Sequence, residues 1–188
     1  MPIDVDEVQR RKEIARATLA VAARDGARAV TIRAVAKELG GSTAMVTNYV
    51  PTRIALITNA VHAAESRWRA DLEARVGDLR GKERLRAMVE WNLSTEPDDL
   101  LLRTLWVEML SSAHTDPNGI DRDEARESRQ EFVDAAIAAG APDADLAADV
   151  LSLLTRGYFV STVEDPAFWT AERTARVARA VVDALVGD

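Results

Sequence analysis

The chain has 188 residues, 47% of them hydrophobic and 29% charged, with no cysteine and a formal net charge of −7. That composition sets aside disorder and membrane residence, and without cysteine there are no disulfides, thiolate metal sites or cysteine nucleophiles, in keeping with a cytoplasmic location. The charge is unevenly divided: residues 8–55 hold nine Arg or Lys against Glu13, Asp25 and Glu38, a balance of +6, whereas residues 56–188 hold 15 basic and 25 acidic side chains.

A basic head on an acidic body steers one end toward phosphate and repels the rest. Apolar residues recur at helical spacing almost throughout, and no segment alternates with period two, so the expected fold class is all-α, with about nine helices. No apolar run approaches the roughly 18 residues of a membrane span. The breaks fall at Gly26, Gly40-Gly41, Gly77, Gly81, Thr95-Glu96-Pro97, Asp116-Pro117-Asn118-Gly119, Gly140-Ala141-Pro142 and Asp165-Pro166. A first helix is expected from near Val8 to Arg24, with Ile14, Thr18, Leu19 and Ala22 on one face and Gly26 at its end. The second begins after Thr31, whose hydroxyl suits an N-cap, and buries Ile32, Val35, Ala36 and Leu39. Gly40-Gly41-Ser42 makes a tight turn into a short third helix, Thr43 to Val50. Two helices joined by a three-residue glycine-containing turn form the helix-turn-helix pattern.

From Arg11 to Ile57, through Ile14, Ala17, Leu19, Gly26, Thr31, Ile32, Arg33, Val35, Ala36, Gly40, Ser42, Pro51, Ala55 and Leu56, the chain resembles the tetracycline-repressor (TetR) family of regulators. The later stretches Leu102-Arg103-Thr104-Leu105-Trp106 and Asp165-Pro166-Ala167-Phe168-Trp169-Thr170 resemble the subgroup with a betaine-regulator-like effector domain. The resemblance implies a helix-turn-helix DNA-binding domain over residues 1–53 and a helical effector-binding and dimerisation domain over 54–188. Ala22 and Val50 stand where that family usually has Phe, Gly41 where it has Val and Thr47 where it has Tyr, so the head is repacked around less volume.

The residues themselves suit such a head. A recognition helix must offer short side chains to base edges while its flanks hold phosphates. The third helix offers Thr43, Ala44, Thr47 and Asn48, with Met45 near its start and Val46 and Val50 turned inward. Asn48 suits adenine, and Thr43 or Thr47 suits a thymine methyl. Phosphate contacts are expected from Thr31, Arg33, Ser42, Tyr49 and Arg53, aided by the positive ends of two helices; in the family pattern Tyr49 and Arg53 fall at phosphate-contacting positions. The expected partner is a double-stranded, pseudo-palindromic operator.

Enzyme chemistry finds no foothold. Gly40-Gly41-Ser42-Thr43-Ala44 resembles a nucleophile elbow only without the strand that such a turn follows. His62 and His114 have no Glu three residues before them and no cysteine partners, and no glycine-rich loop cradles phosphate. No catalytic residue, metal or cofactor is expected. The alternatives are a helical small-molecule carrier or enzyme with a vestigial head, and a protein-interaction module without DNA affinity.

Farther along, Met88, Trp91, Leu105, Trp106, Met109 and Phe132 are expected to line an apolar pocket for an unidentified small molecule, with core packing as the plainer role for any one of them. Helix eight, about Asp143 to Val163, is apolar around most of its circumference, and helix nine spans about Thr170 to Val186. A helix with more than one apolar face needs a second partner, expected here to be another copy of the chain. Val150, Leu151, Leu154, Tyr158, Ala178, Val181 and Leu185 are expected at that homodimer interface.

Overall fold

The computed structural model describes residues 3–111 and 122–187, and among them every regular element is helical. The expected break at Asp116–Gly119 and His114 lie outside the described residues. The chain divides into two compact units, one of Met1–Arg67 and Leu101–Ile120, the other of Trp68–Leu100 and Asp121–Asp188.

The first unit begins with α1, Ile3–Asp25. It buries Ile14, Ala15, Ala17, Thr18, Val21 and Ala22 along one face, and Thr18 satisfies its hydroxyl by donating to the Ile14 carbonyl at 2.8 Å. The helix starts a turn earlier than the apolar pattern requires, and Glu7 in this added turn pairs with Arg11 one turn on, at 3.0 Å. A 3-10 turn, Ala27–Ala29, leads to α2, Ile32–Glu38. The Thr31 hydroxyl accepts from the Ala34 N–H at 3.1 Å, as an N-cap does.

At the far end of α2, Gly40 has a φ of +67°. The Gly41 N–H donates to the Ala36 carbonyl at 2.9 Å and the Gly40 N–H to Lys37 at 3.0 Å, the paired bonds of a Schellman stop. A side chain at Gly40 would be strained in that backbone conformation, so the turn between α2 and α3 depends on it. Helix α3 covers Thr43–Thr47, shorter than the sequence pattern suggests. Val50 is excluded for a local reason, because it precedes Pro51 and such a residue is pushed out of helical geometry.

Helix α4, Arg53–Val76, contributes its first half to this unit, where Leu56, Ile57, Ala60, Val61 and Ala64 are buried. The Asn59 amide donates to the Arg11 carbonyl at 2.9 Å, and Arg24 pairs with Glu38 at 2.8 Å, tying α1 to α4 and to α2. Most of α6, Pro97–Ser111, also belongs here and buries Leu102, Leu105 and Met109.

In the second unit, α5 (Gly81–Asn92), α7 (Arg122–Ala139), α8 (Ala144–Glu164) and α9 (Ala171–Val186) share a core. Leu85, Val89, Leu93, Phe132, Leu151, Tyr158, Ala178 and Val182 are among its buried members. Tyr158 keeps its phenol bonded inside that core, donating to the Ser94 carbonyl at 2.9 Å. Asp143 and Thr170 cap the last two helices through bonds from the Leu146 and Arg173 N–H groups.

Lys82 and Arg86 on α5 both reach Asp183 on α9, at 3.1 and 3.0 Å. The bond from Lys82, followed by the weaker influence of Arg86, holds the Asp183 carboxyl below its ordinary range. A depressed carboxylate contributes stability that is complete above its unfolded pKa, about 3.9, and is lost as pH falls through the lower folded value. Asp183→Asn is therefore expected to lower the urea midpoint slightly at neutral pH, the group being well exposed to solvent. The gap from the parent should narrow as pH falls below about 4. A gap that stays constant with pH would show that the ion pairs contribute nothing through charge.

Candidate functional site

The side chains expected to meet DNA are arranged around α3. Thr43, Ala44, Thr47 and Asn48 are exposed, while Val46 and Val50 are sealed in the core of the first unit. A helix this short has no stability of its own, so the buried Val46 is what holds the exposed residues in place. Ser42 caps it, its hydroxyl accepting from the Met45 N–H at 3.4 Å. Thr31, Arg33 and Ser42 are exposed, and Tyr49 is half-buried.

Two of the expected residues also make contacts within the unit. Met45 folds its thioether back over Gly41, where a Cβ would overlap the methionine methyl. The volume missing at Gly41 is thus filled by Met45, a flexible side chain suited to irregular gaps. Arg53 is turned into the unit: its Nε donates to the Val30 carbonyl at 2.9 Å and its Nη2 to the Ala27 carbonyl at 3.1 Å. Its Nη1 lies 2.9 Å from Glu108 on α6.

One exposed hydroxyl at this end escaped the sequence analysis. Thr52 accepts from the Ala55 N–H at 3.1 Å and so caps α4, giving the unit a third hydroxyl-capped helix N-terminus beside those at Thr31 and Ser42. Its signal was the Thr-x-x-Ala run after Pro51, which matches the spacing at Thr31 and Ala34. Lys37 and Arg28 are exposed cations of the same unit that the motif-based reading passed over.

The six residues expected around a ligand do not share one unit. Met88, Trp91 and Phe132 belong to the second, where Met88 and Phe132 are part of the packed core. Leu105, Trp106 and Met109 belong to the first, where Leu105 and Met109 are buried. Trp91 stacks edge-on against Trp68 with centroids 6.2 Å apart, and the Trp68 indole donates to Asp99 at 3.0 Å.

Within the second unit lies a cavity of about 190 Å³. Leu93 just after α5, Leu154, Gly157, Tyr158 and Ser161 of α8, Trp169 just before α9, and Thr174 and Val177 of α9 line it. Trp169 meets Tyr158 edge-on at 5.7 Å, and Tyr158 is itself fixed by its bond to Ser94. The lining is apolar apart from the Ser161 and Thr174 hydroxyls and the Tyr158 phenol, the usual make-up of a small-molecule site.

The expected interface residues also separate. Leu151, Tyr158 and Ala178 are buried inside the second unit, whereas Val150, Leu154, Val181 and Leu185 are half-buried. The apolar residues that α8 leaves most open are Leu146, Leu153 and Val160, which recur every seventh residue on one line.

Residues 81–187 match the family model described as the BetI-type transcriptional repressor, C-terminal. Among curated proteins no sequence matches. Among solved structures, a transcriptional regulator from Rhodococcus sp. Rha1 is similar over 93% of this chain and 95% of its own, with 20% identity and a TM-score of 0.81. A protein of Pseudomonas aeruginosa PAO1 described as a transcriptional regulator is 27% identical over 94% of this chain and 89% of its own, with a TM-score of 0.72. Another, from Saccharomonospora viridis, was solved in complex with choline. It is 20% identical over 94% of this chain and 96% of its own, with a TM-score of 0.77. Among the described residues, no helix is long and apolar enough to cross a membrane.

Proposed function

The chain belongs to the BetI-type transcriptional repressors of the TetR family, and from that premise we propose that it binds a pseudo-palindromic operator as a homodimer and releases it when the second unit takes up a small molecule. One observation carries the DNA-binding half of this reading. The residues of α3 and its C-cap able to read base edges, Thr43, Thr47 and Asn48, are exposed, and the helix is anchored from behind by Val46. The capped starts of α2 and α3 add fixed N–H groups for phosphate, and exposed Arg33 adds charge.

The effector is a small molecule that is largely apolar or cationic. The apolar cavity beside Trp169 supports the first possibility. The edge-on Trp68 and Trp91 pair with Asp99 supports the second, because an indole face and a carboxylate both attract a quaternary ammonium. The choline held by the Saccharomonospora viridis relative has that chemistry. The homodimer is formed along the open side of α8, through Leu146, Leu153 and Val160.

The experiment is selection of a duplex from a random pool, followed by titration at several salt concentrations. Arg33→Ala is expected to weaken binding to all sequences alike and to lower the salt slope by about one per protomer. Asn48→Ala is expected to lose discrimination at a single position of each half-site, about 1–3 kcal/mol. A wild-type protein that enriches no duplex would overturn the reading.

A further inference from the structure

We propose that Arg53 is a positioning residue for DNA recognition, held by Glu108 of α6, and that through this link α6 sets the turn leading into α2; the inference rests on the DNA-binding reading above. Arg53 is the first residue of α4, and three nitrogens of its guanidinium are engaged in three directions. Nε and Nη2 share one edge of the planar group and take the carbonyls of Val30 and Ala27, at 2.9 and 3.1 Å. Nη1, at the other end, takes the Glu108 carboxylate at 2.9 Å. Only a rigid fork of donors can span two carbonyls and a carboxylate together.

The two carbonyls hold the entry to the helix-turn-helix. Ala27 opens the 3-10 turn and Val30 closes it, both are buried, and the next residue is Thr31, the cap of α2. Fixing these carbonyls fixes where α2 begins, and α2 carries the turn and α3 after it. Side chains of Arg53 and Glu108 are each about one-third exposed, at 34% and 31%, so the pair is partly shielded from solvent and screened less than a surface pair. A phosphate approaching this guanidinium would meet the Glu108 carboxylate already beside it, and like charges at that range repel. The geometry therefore favours the inward role.

The consequence is mechanical. Helix α6 is anchored in the first unit by Leu102, Leu105 and Met109, and Glu108 provides an ionic bond from it to Arg53. A shift of α6 that withdraws Glu108 would leave a shielded guanidinium short of its anion and loosen its hold on the turn.

The test compares the full-length wild type with Glu108→Gln, Arg53→Gln, Arg53→Lys and the double variant Arg53→Gln/Glu108→Gln, on the duplex selected by the wild type. Each single variant is expected to weaken binding several-fold with the salt slope unchanged, because no phosphate contact is lost. The double variant should bind no worse than Arg53→Gln, since both changes break one link. Arg53→Lys should fail like Arg53→Gln, because an ammonium cannot span the three acceptors.

In the free protein, amide exchange at Ala29 and Val30, whose N–H groups close the 3-10 turn, should quicken in Glu108→Gln while α9 is unaffected. A slope that drops by about one per protomer in Arg53→Gln, or wild-type binding by Arg53→Lys, would make Arg53 a phosphate contact and overturn the proposal. Unchanged exchange at Ala29 and Val30 in Glu108→Gln would overturn it too, and that arm decides even if no duplex is selected.

Discussion

Leu153→Arg is expected to yield a folded monomer that holds duplex DNA far more weakly than the parent. Leu153 is 72% exposed, so within one chain the new guanidinium lies in water and costs the fold almost nothing. The effect appears on association. Leu146, Leu153 and Val160 recur at the seven-residue spacing that lets one helix lie along another, and Leu153 is the middle one. Between two copies related by a two-fold axis, the centre of such a line packs near its own mate, so the substitution would bury two like charges together. An unpaired buried charge costs about 3–5 kcal/mol, which weakens the dimer at least about 100-fold. A monomer reaches one half-site at a time, and the joint hold on two half-sites a helical turn apart is gone. Sedimentation velocity with circular dichroism checks this, and a variant that stays dimeric would place the interface elsewhere.

Two residues away on the same helix, Leu151→Ala is expected to cost about 2–5 kcal/mol of stability while leaving the association of the folded chains unchanged. Leu151 is fully buried among α5, α7 and α9 residues, and at roughly 100° per residue it faces nearly the opposite side of α8 from Leu153. Truncation removes buried apolar surface and leaves a gap that rigid neighbours cannot close. Urea unfolding gives the number. A loss under about 1 kcal/mol would mean that Leu151 is not in the core and that α8 has been assigned the wrong phase.

That pair also shows what the sequence could convey. Helix eight reads as apolar on most sides, and the starts of helices eight and nine, at Asp143 and Thr170, were legible because a cap is a bond between residues three apart. Which apolar face turns inward depends on helices far away in sequence. Leu151, Tyr158 and Ala178 were therefore expected at an interface, yet they are buried within the unit. The head was legible for the local reason: Thr31, Gly40 and Ser42 act within a turn or two of themselves. The bonds Arg53 makes within the unit were not, since its carboxylate partner lies on α6, far along the chain. The residues lining the cavity were the least legible, because an aromatic that fills a core and one that lines a cavity have the same pattern. Trp169, recognised only as part of a family-like stretch, borders the cavity together with Tyr158, which was expected at the interface.

The first unit is interrupted in the chain, and this imposes an order on its making. At about 5–20 residues per second of synthesis, α1 to α3 and the start of α4 emerge and can close around Ile14, Val35 and Val46 before the segment carrying Leu102, Leu105 and Glu108 exists. The nascent head then has Arg53 on its two carbonyls with the third acceptor still missing. A newly made copy completes its DNA-reading end only after the first helix of the other unit, α5, has been translated. A fragment cut after α4, offered as a free-standing DNA-binding piece, would correspond to that unfinished stage and not to the head of the mature protein.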